Sequence, residues 1–211
     1  MREPVFTATR RCLLGVALSS LLAGCGDRPP ATPAAPAAAA MPEPALRTTP
    51  DGRPIVAFSG LQYSTRPPLG WRLKPLAPSG SENAPDDVVI LAAASSVADP
   101  IAADTQIQLE AFRKSDRAPT YEAKLANIAA DRRRMRSDFA VENELPIELR
   151  GGKRAFLFRM RNVPSGDSEA VAYVDEGPVV AEMVLVAKTR VAFEATLPLF
   201  REMVRTYQRV N

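Results

Sequence analysis

Between Gly26 and Pro54 a proline recurs every few residues, at 29, 30, 33, 36, 42, 44, 50 and 54, and alanine fills most of the middle. Each proline fixes its own φ, removes an N–H donor and turns the preceding residue away from helix. Neither a helical nor a strand-like apolar period runs through the stretch. It can bury no core, so whatever folds must follow it, and what precedes it must serve another purpose. The expected conformation is a solvated, semi-stiff polyproline-like tether over residues 25 to 54, with a reach of ~90 Å for ~29 residues at full extension.

Residues 1 to 24 have the layout of an export signal. Arg2, Arg10 and Arg11 precede an apolar run from Leu13 to Ala23, too short for a bilayer-spanning helix of ~20 residues. The run ends at Leu22-Ala23-Gly24-Cys25, which resembles the lipobox of bacterial lipoproteins: an aliphatic residue, two small ones, then cysteine. The resemblance implies attachment of diacylglycerol to the Cys25 thiol, cleavage before it, and acylation of the new amine. Two or three acyl chains (palmitate-like), at ~0.8 kcal/mol per buried methylene, hold a protein on a membrane where one chain does so only marginally. Thr9-Arg10-Arg11-Cys12-Leu13-Leu14 also resembles a twin-arginine export motif. By the sorting rule of enteric lipoproteins, Gly26 after the cysteine leans toward the outer membrane rather than the inner, with Asp27 one place later. The expected location is therefore the bacterial cell envelope, lipid-anchored and facing the periplasm.

Composition excludes several chemistries. Histidine is absent, which removes Ser-His-Asp and Cys-His machinery, histidine bases and most transition-metal sites. The two cysteines, Cys12 and Cys25, both precede the foldable region, so structural disulfides and thiolate zinc sites are not expected there. Without residues 1 to 24 the chain has 24 basic and 23 acidic side chains, and so near-neutral a body has no broad grip on nucleic acid. Arginine outnumbers lysine 22 to 5, the usage of a GC-rich bacterial genome. No Ser-x-x-Lys, GxGxxG or P-loop pattern occurs; neither cofactor nor metal is expected.

Residues 55 to 211 are long enough for one core. "IVAFSGLQYS" reads as a first strand, "PPLGWRLKPL" as a turn into a second and "DDVVILAAA" as a third. "TQIQLEAF" alternates, with Ile107, Leu109 and Ala111 on one side and Gln106, Gln108 and Glu110 on the other. A helix follows Pro119, with Tyr121, Leu125, Ile128 and Met135 marking its apolar face. "DFAVENEL" and "KRAFLFRMRN" read as strands around a Gly151-Gly152 turn, and "SEAVAYVDEGPVVAEMVLVAK" as a hairpin turning at Asp175-Glu176-Gly177-Pro178. A last helix opens near Thr189 and runs to the end, burying Phe193, Leu197, Phe200, Val204 and Tyr207, with Pro198 kinking or splitting it. "VVAEMVLVA" is apolar on both faces apart from Glu182, so the sheet needs cover on both sides. The expected fold is α+β, a mostly antiparallel sheet with one helix packed on each face.

"FSGLQYSTRPPLGW", the single helix from Pro119, the closing hairpin and helix of "VAYVDEGPVVAEMVLVAKTRVAFEATLPLFREMV" and the lipidated leader together resemble the PsbP/DcrB-like superfamily over most of residues 55 to 211. Its members are mostly non-enzymatic: accessory subunits of membrane complexes, partner-binding modules, envelope lipoproteins and chaperones for secreted effectors. The family pattern carries no catalytic residues to this sequence.

Arg132, Arg133, Arg134 and Arg136 close the first helix. They read either as a phosphate-binding patch or as a solvated face suited to a helix C-terminus; Arg132 falls on the apolar stripe. Trp71, the lone tryptophan, reads as a core anchor or as a partner-facing aromatic beside a proline turn. Glu142, Glu144 and Glu148 have the residue type of a glycosidase pair, but Glu142 and Glu144 share a strand face, most simply the solvent face. "SGDSE" at 165–169 and "DEG" at 175–177 read as turns rather than calcium loops. The expectation is a non-catalytic envelope lipoprotein that binds a protein partner in assembly or maintenance of an envelope complex. Alternatives are a binder of lipid or cell-wall fragments and, further off, a carboxylate-dependent cell-wall hydrolase.

Overall fold

The computed structural model describes residues 45–76, 88–94 and 99–210; the leader, Cys25 and most of the tether lie outside them. The elements, in chain order, are β1 (Ile55–Phe58), β2 (Leu61–Ser64), β3 (Trp71–Leu76), β4 (Val89–Ala94), β5 (Thr105–Arg113), α1 (Tyr121–Met135), β6 (Ala140–Asn143), β7 (Ile147–Glu148), β8 (Arg154–Arg161), β9 (Ser168–Asp175), β10 (Val179–Ala187), α2 (Arg190–Arg205) and β11 (Gln208–Arg209). The main sheet has the order β3-β4-β5-β10-β9-β8-β6, with β7 also on β8, and every pairing is antiparallel. A second sheet, β1-β2-β11, has three strands.

Strand alternation sends the two faces to two separate cores. Ile107, Leu109 and Ala111 of β5, with Ala181, Met183 and Leu185 of β10, meet Phe193, Leu197, Phe200 and Val204 of α2. Val56, Leu61 and Tyr63 of the small sheet complete that core. Val171 and Tyr173 of β9, Phe158 and Met160 of β8 and Val180 of β10 meet Tyr121, Leu125 and Ala129 of α1 on the other face. The α+β sandwich with one helix per face is the architecture the patterning implies.

Both helices begin at a threonine cap. Thr120 Oγ1 accepts from Ala123 N, and Thr189 Oγ1 accepts from Ala192 N, each at 3.2 Å. Four details differ from the sequence reading. "IVAFSGLQYS" is two strands, because Ser59 and Gly60 both take positive φ (48° and 82°) and close a two-residue hairpin. Met135 is 70% exposed at the end of α1, since the apolar stripe passes from Ala129 to Arg132 instead. Pro198 does not split α2, which continues through it from Arg190 to Arg205. The helix stops before the end: Tyr207 is buried outside it, and β11 then pairs with β2.

Candidate functional site

The α1 face of the sheet carries the domain's most unusual charges. Glu110 of β5 and Glu182 of β10 are direct register partners, so both carboxylates rise from adjacent strands on one face. Lys124 of α1 reaches down to bond Glu182, and its Nζ lies 3.9 Å from the centre of the Phe112 ring. The Glu182 side chain is only 6% exposed. Glu110 receives no such cation. Burial, with the charge of Glu182 beside it, pushes its carboxyl up to about 7, against a smaller downward pull from Lys124. From the opposite core the Tyr63 hydroxyl donates to the Glu110 carbonyl at 2.8 Å. Tyr173, across from Glu182 in the register, is fully buried, and burial followed by the charge of Glu182 raises its phenol.

Next to this cluster runs a series of rings. Tyr121 stacks on Phe156 at 4.9 Å between centres and on Tyr173 at 5.6 Å, and Phe112 meets Tyr173 edge-on at 6.2 Å. Tyr121, Phe156 and Phe158 floor a cleft of ≈ 330 Å³ with Glu122, Asn143 and Glu144 along its rim.

The arginines at the end of α1 do not act alike. Arg132 turns inward: its Nη1 donates to Glu169 Oε2 at 2.6 Å, and its guanidinium lies 5.5 Å from the Phe139 ring centre. Arg133 donates from Nε to the Phe139 carbonyl at 3.3 Å. Arg134 pairs with Asp131 and Arg136 with Asp138, both exposed. Three of the four thus have a carboxylate partner within the chain. Arg136 also lines a larger cleft of ≈ 520 Å³ with Arg159, Arg161 and Arg190, opposed there by Glu142, Asp167 and Glu194.

Trp71 is half-buried at the start of β3 and packs against the α2-side core beside Leu73. The turn before it leaves Leu69 fully exposed, and Trp71 N donates to the Pro68 carbonyl at 3.2 Å. Glu142 pairs with Arg161 at 2.7 Å, and Glu148 with Arg154 at 2.8 Å. Glu144 is not on an open solvent face: Arg159 at 2.5 Å and Arg201 of α2 both hold it, and its side chain is 22% exposed. Of the acids in the two segments read as turns, Glu169 and Asp175 lie in β9, where they bind Arg132 and, at 2.8 Å, Lys114, and Glu176 in the β9–β10 turn binds Lys153 at 2.6 Å.

Sequence reasoning placed Glu110 with Gln106 and Gln108 on the polar side of its strand and took Glu182 for a lone exception in an apolar strand. The signal that joins them is Lys124 on the inner face of α1, and it becomes meaningful only once the β5–β10 register is known.

No protein-family model matches the chain, and no curated protein matches it. Among solved structures it is similar to the solution structure of cyanobacterial PsbP (CyanoP) from Synechocystis sp. PCC 6803, with 12% identity and a TM-score of 0.45 over 70% of this chain and 86% of that one. It is also similar to a point mutant of the protein Mog1, with 15% identity and a TM-score of 0.42 over 71% of this chain and 91% of that one. The likeness is one of fold alone.

Proposed function

We propose that the chain is a non-catalytic, lipid-anchored binding module of the bacterial cell envelope, acting on a protein partner in assembly or maintenance of an envelope complex. The observation that carries this reading is Leu22-Ala23-Gly24-Cys25, set between an apolar leader and a Pro/Ala spacer. A thiol placed there suits lipid attachment, and a spacer after it suits a domain that must work away from the lipid surface. The pairing pattern inside the domain supports the non-catalytic part. Glu144, Glu169, Glu176 and Glu182 each hold a lysine or arginine, which spends these carboxylates on structure. The test has two stages. Mass spectrometry of the native protein is expected to find an acylated Cys25 at the N-terminus, and Cys25→Ser to release the protein from the membrane or leave it unprocessed. Crosslinking in intact cells followed by pull-down is then expected to recover a stoichiometric partner.

One observation favours a second reading, a cell-wall-fragment binder. The cleft lined by Phe156, with Tyr121 and Phe158 nearly buried beside it and Glu122, Asn143 and Glu144 among its polar groups, offers one partly exposed ring and several polar groups to a sugar. Titration with muropeptides, followed by ring shifts at Tyr121, tests it.

A further inference from the structure

One end of the domain gathers cations around the root of the tether, and a chain of contacts ties them together. The described chain enters there through a turn in which Arg53 N donates to Thr49 Oγ1 at 3.0 Å. Arg53 donates to Gln208 Oε1 of β11 at 2.8 Å. The next residue, Arg209, pairs with Glu176 at 3.4 Å, and Glu176 holds Lys153 at 2.6 Å. The N-terminal turn, the C-terminal strand, the β7–β8 turn and the β9–β10 turn therefore share one surface.

Its charge is one-sided. The β7–β8 turn adds Arg150 and Arg154 beside Lys153, the end of α2 adds Arg205 near Arg209, the entry segment adds Arg47 beside Arg53, and the β2–β3 connection adds Arg66, 3.6 Å from Asp51. Against these eight stand Asp51, Glu148, Glu176 and Glu202. Of the eight only Arg53 is well covered, at 16%, whereas Arg66, Arg154, Arg205 and Arg209 all exceed half exposure. The adjoining β5–α1 connection leaves the excess unchanged, with Arg113, Lys114 and Arg117 facing Asp116, Glu122 and Asp175. Glu82, Asp86 and Asp87, between β3 and β4, lie outside the described residues.

We infer that this end, where the N-terminal turn, β11 and the β7–β8 turn meet, is a docking face for anionic lipid head groups. The inference rests on the lipid anchor proposed above. Nineteen residues lie between Cys25 and Ala45, a reach of roughly 60 Å at full extension. The anchored domain thus stays at high effective concentration over the bilayer and meets it first with the end from which its tether leaves. Exposed arginines attract lipid phosphates within a Debye length, ~10 Å at 0.1 M salt. The tether then has two states to serve, a domain lying root-down on the head groups and one released toward its partner.

The test uses the mature acylated protein in vesicles, with its acylation confirmed by mass. A donor fluorophore is placed at Glu148→Cys on the basic end, or at Asp131→Cys near the end of α1, and acceptors on the lipid head groups. The ends of an eight-residue strand such as β8 lie about 25 Å apart, so on phosphatidylglycerol vesicles transfer from position 148 is expected to exceed that from 131 at least about twofold. The difference should vanish on phosphatidylcholine, at high salt, and in the triple variant Arg47→Gln, Arg66→Gln, Arg150→Gln, which leaves the Glu176 contacts in place and whose fold is checked by circular dichroism. Equal transfer from the two sites on anionic vesicles, or a difference that persists on phosphatidylcholine, overturns the inference and points to a protein partner for this face. A native chain with no acyl group on Cys25 overturns the anchor itself, a result read from the mass before any vesicle is made.

Discussion

The Tyr207 hydroxyl donates to Glu176 Oε1 at 3.0 Å, joining the residue just beyond α2 to the turn between β9 and β10. Glu176 is a hub. Its side chain is 1% exposed and also receives both charges of Lys153 and Arg209, so the C-terminal segment is fastened to the main sheet through one carboxylate. Burial, followed by the charge of Glu176, raises the Tyr207 phenol, which therefore stays a donor across the physiological range. Tyr207→Phe removes one buried hydrogen bond and is expected to cost about 1 kcal/mol. Glu176→Gln leaves two half-exposed cations without a counter-ion and is expected to cost roughly 1–2 kcal/mol after solvent screening. Urea unfolding of the single and double variants measures both, and strong non-additivity is expected because the residues touch.

The arginine run at the end of α1 should divide by substitution. Arg132→Gln breaks the ion pair with Glu169 and withdraws a guanidinium from Met160 and Phe139. A loss of about 1–2 kcal/mol is expected, since the Glu169 partner is nearly buried while Arg132 itself is partly solvated. Arg133→Gln loses one long, part-buried bond to the Phe139 carbonyl and Arg134→Gln an exposed ion pair, and each should stay within about 0.5–1 kcal/mol of the parent. Equal losses at all three positions in thermal melts would show that Arg132 has no special place in the packing.

Those arginines also mark how far the sequence could be read. Apolar spacing was enough to find both helices and the antiparallel ladder, because β10 needed cover on each side and only two amphipathic segments could give it. It missed the Ser59-Gly60 hairpin, since ten residues of strand-like composition hide a turn made only by backbone dihedral angles. It also carried α2 too far, because Tyr207 falls on the helical period yet is held by Glu176 instead. For the charged cluster the limit was register: alternation puts Glu110 on the polar side of its own strand, and only pairing with β10 sets it against Glu182. Arg132 was legible as an anomaly on an apolar stripe, but its partner Glu169 lies in a strand that local patterning cannot bring to it.

Pro198 is an exposed proline inside a continuous helix. It supplies no N–H to the Glu194 carbonyl four residues earlier, and its ring crowds that turn. Pro198→Ala restores the donor and removes no buried surface, so stabilisation of about 1–3 kcal/mol is expected from the difference in helix propensity. A melting temperature that falls instead would mean that the proline sets a bend on which the seating of Phe193 and Phe200 depends.

Glu110 predicts how stability responds to pH. Three groups set its environment: Glu182 from β10 and Lys124 from α1 on its own face, and the charge-free Tyr63 hydroxyl at its backbone from the other core. Its carboxyl titrates about 7 in the folded chain against 4.5 for the ordinary side chain. Between those values the folded state holds a proton that the unfolded state has released, so the folded form loses stability as pH rises from 4.5 through 7. Glu110→Gln keeps the shape and the neutral form at every pH. It is therefore expected to melt higher than the parent at pH 8, to match it closely at pH 4.5, and to remove that part of the slope between. Lys124→Met acts with the opposite sign, since it leaves Glu182 buried without its cation and should lower the melting temperature most at high pH. Parallel stability–pH curves for the parent and Glu110→Gln would show that folding does not raise the Glu110 carboxyl.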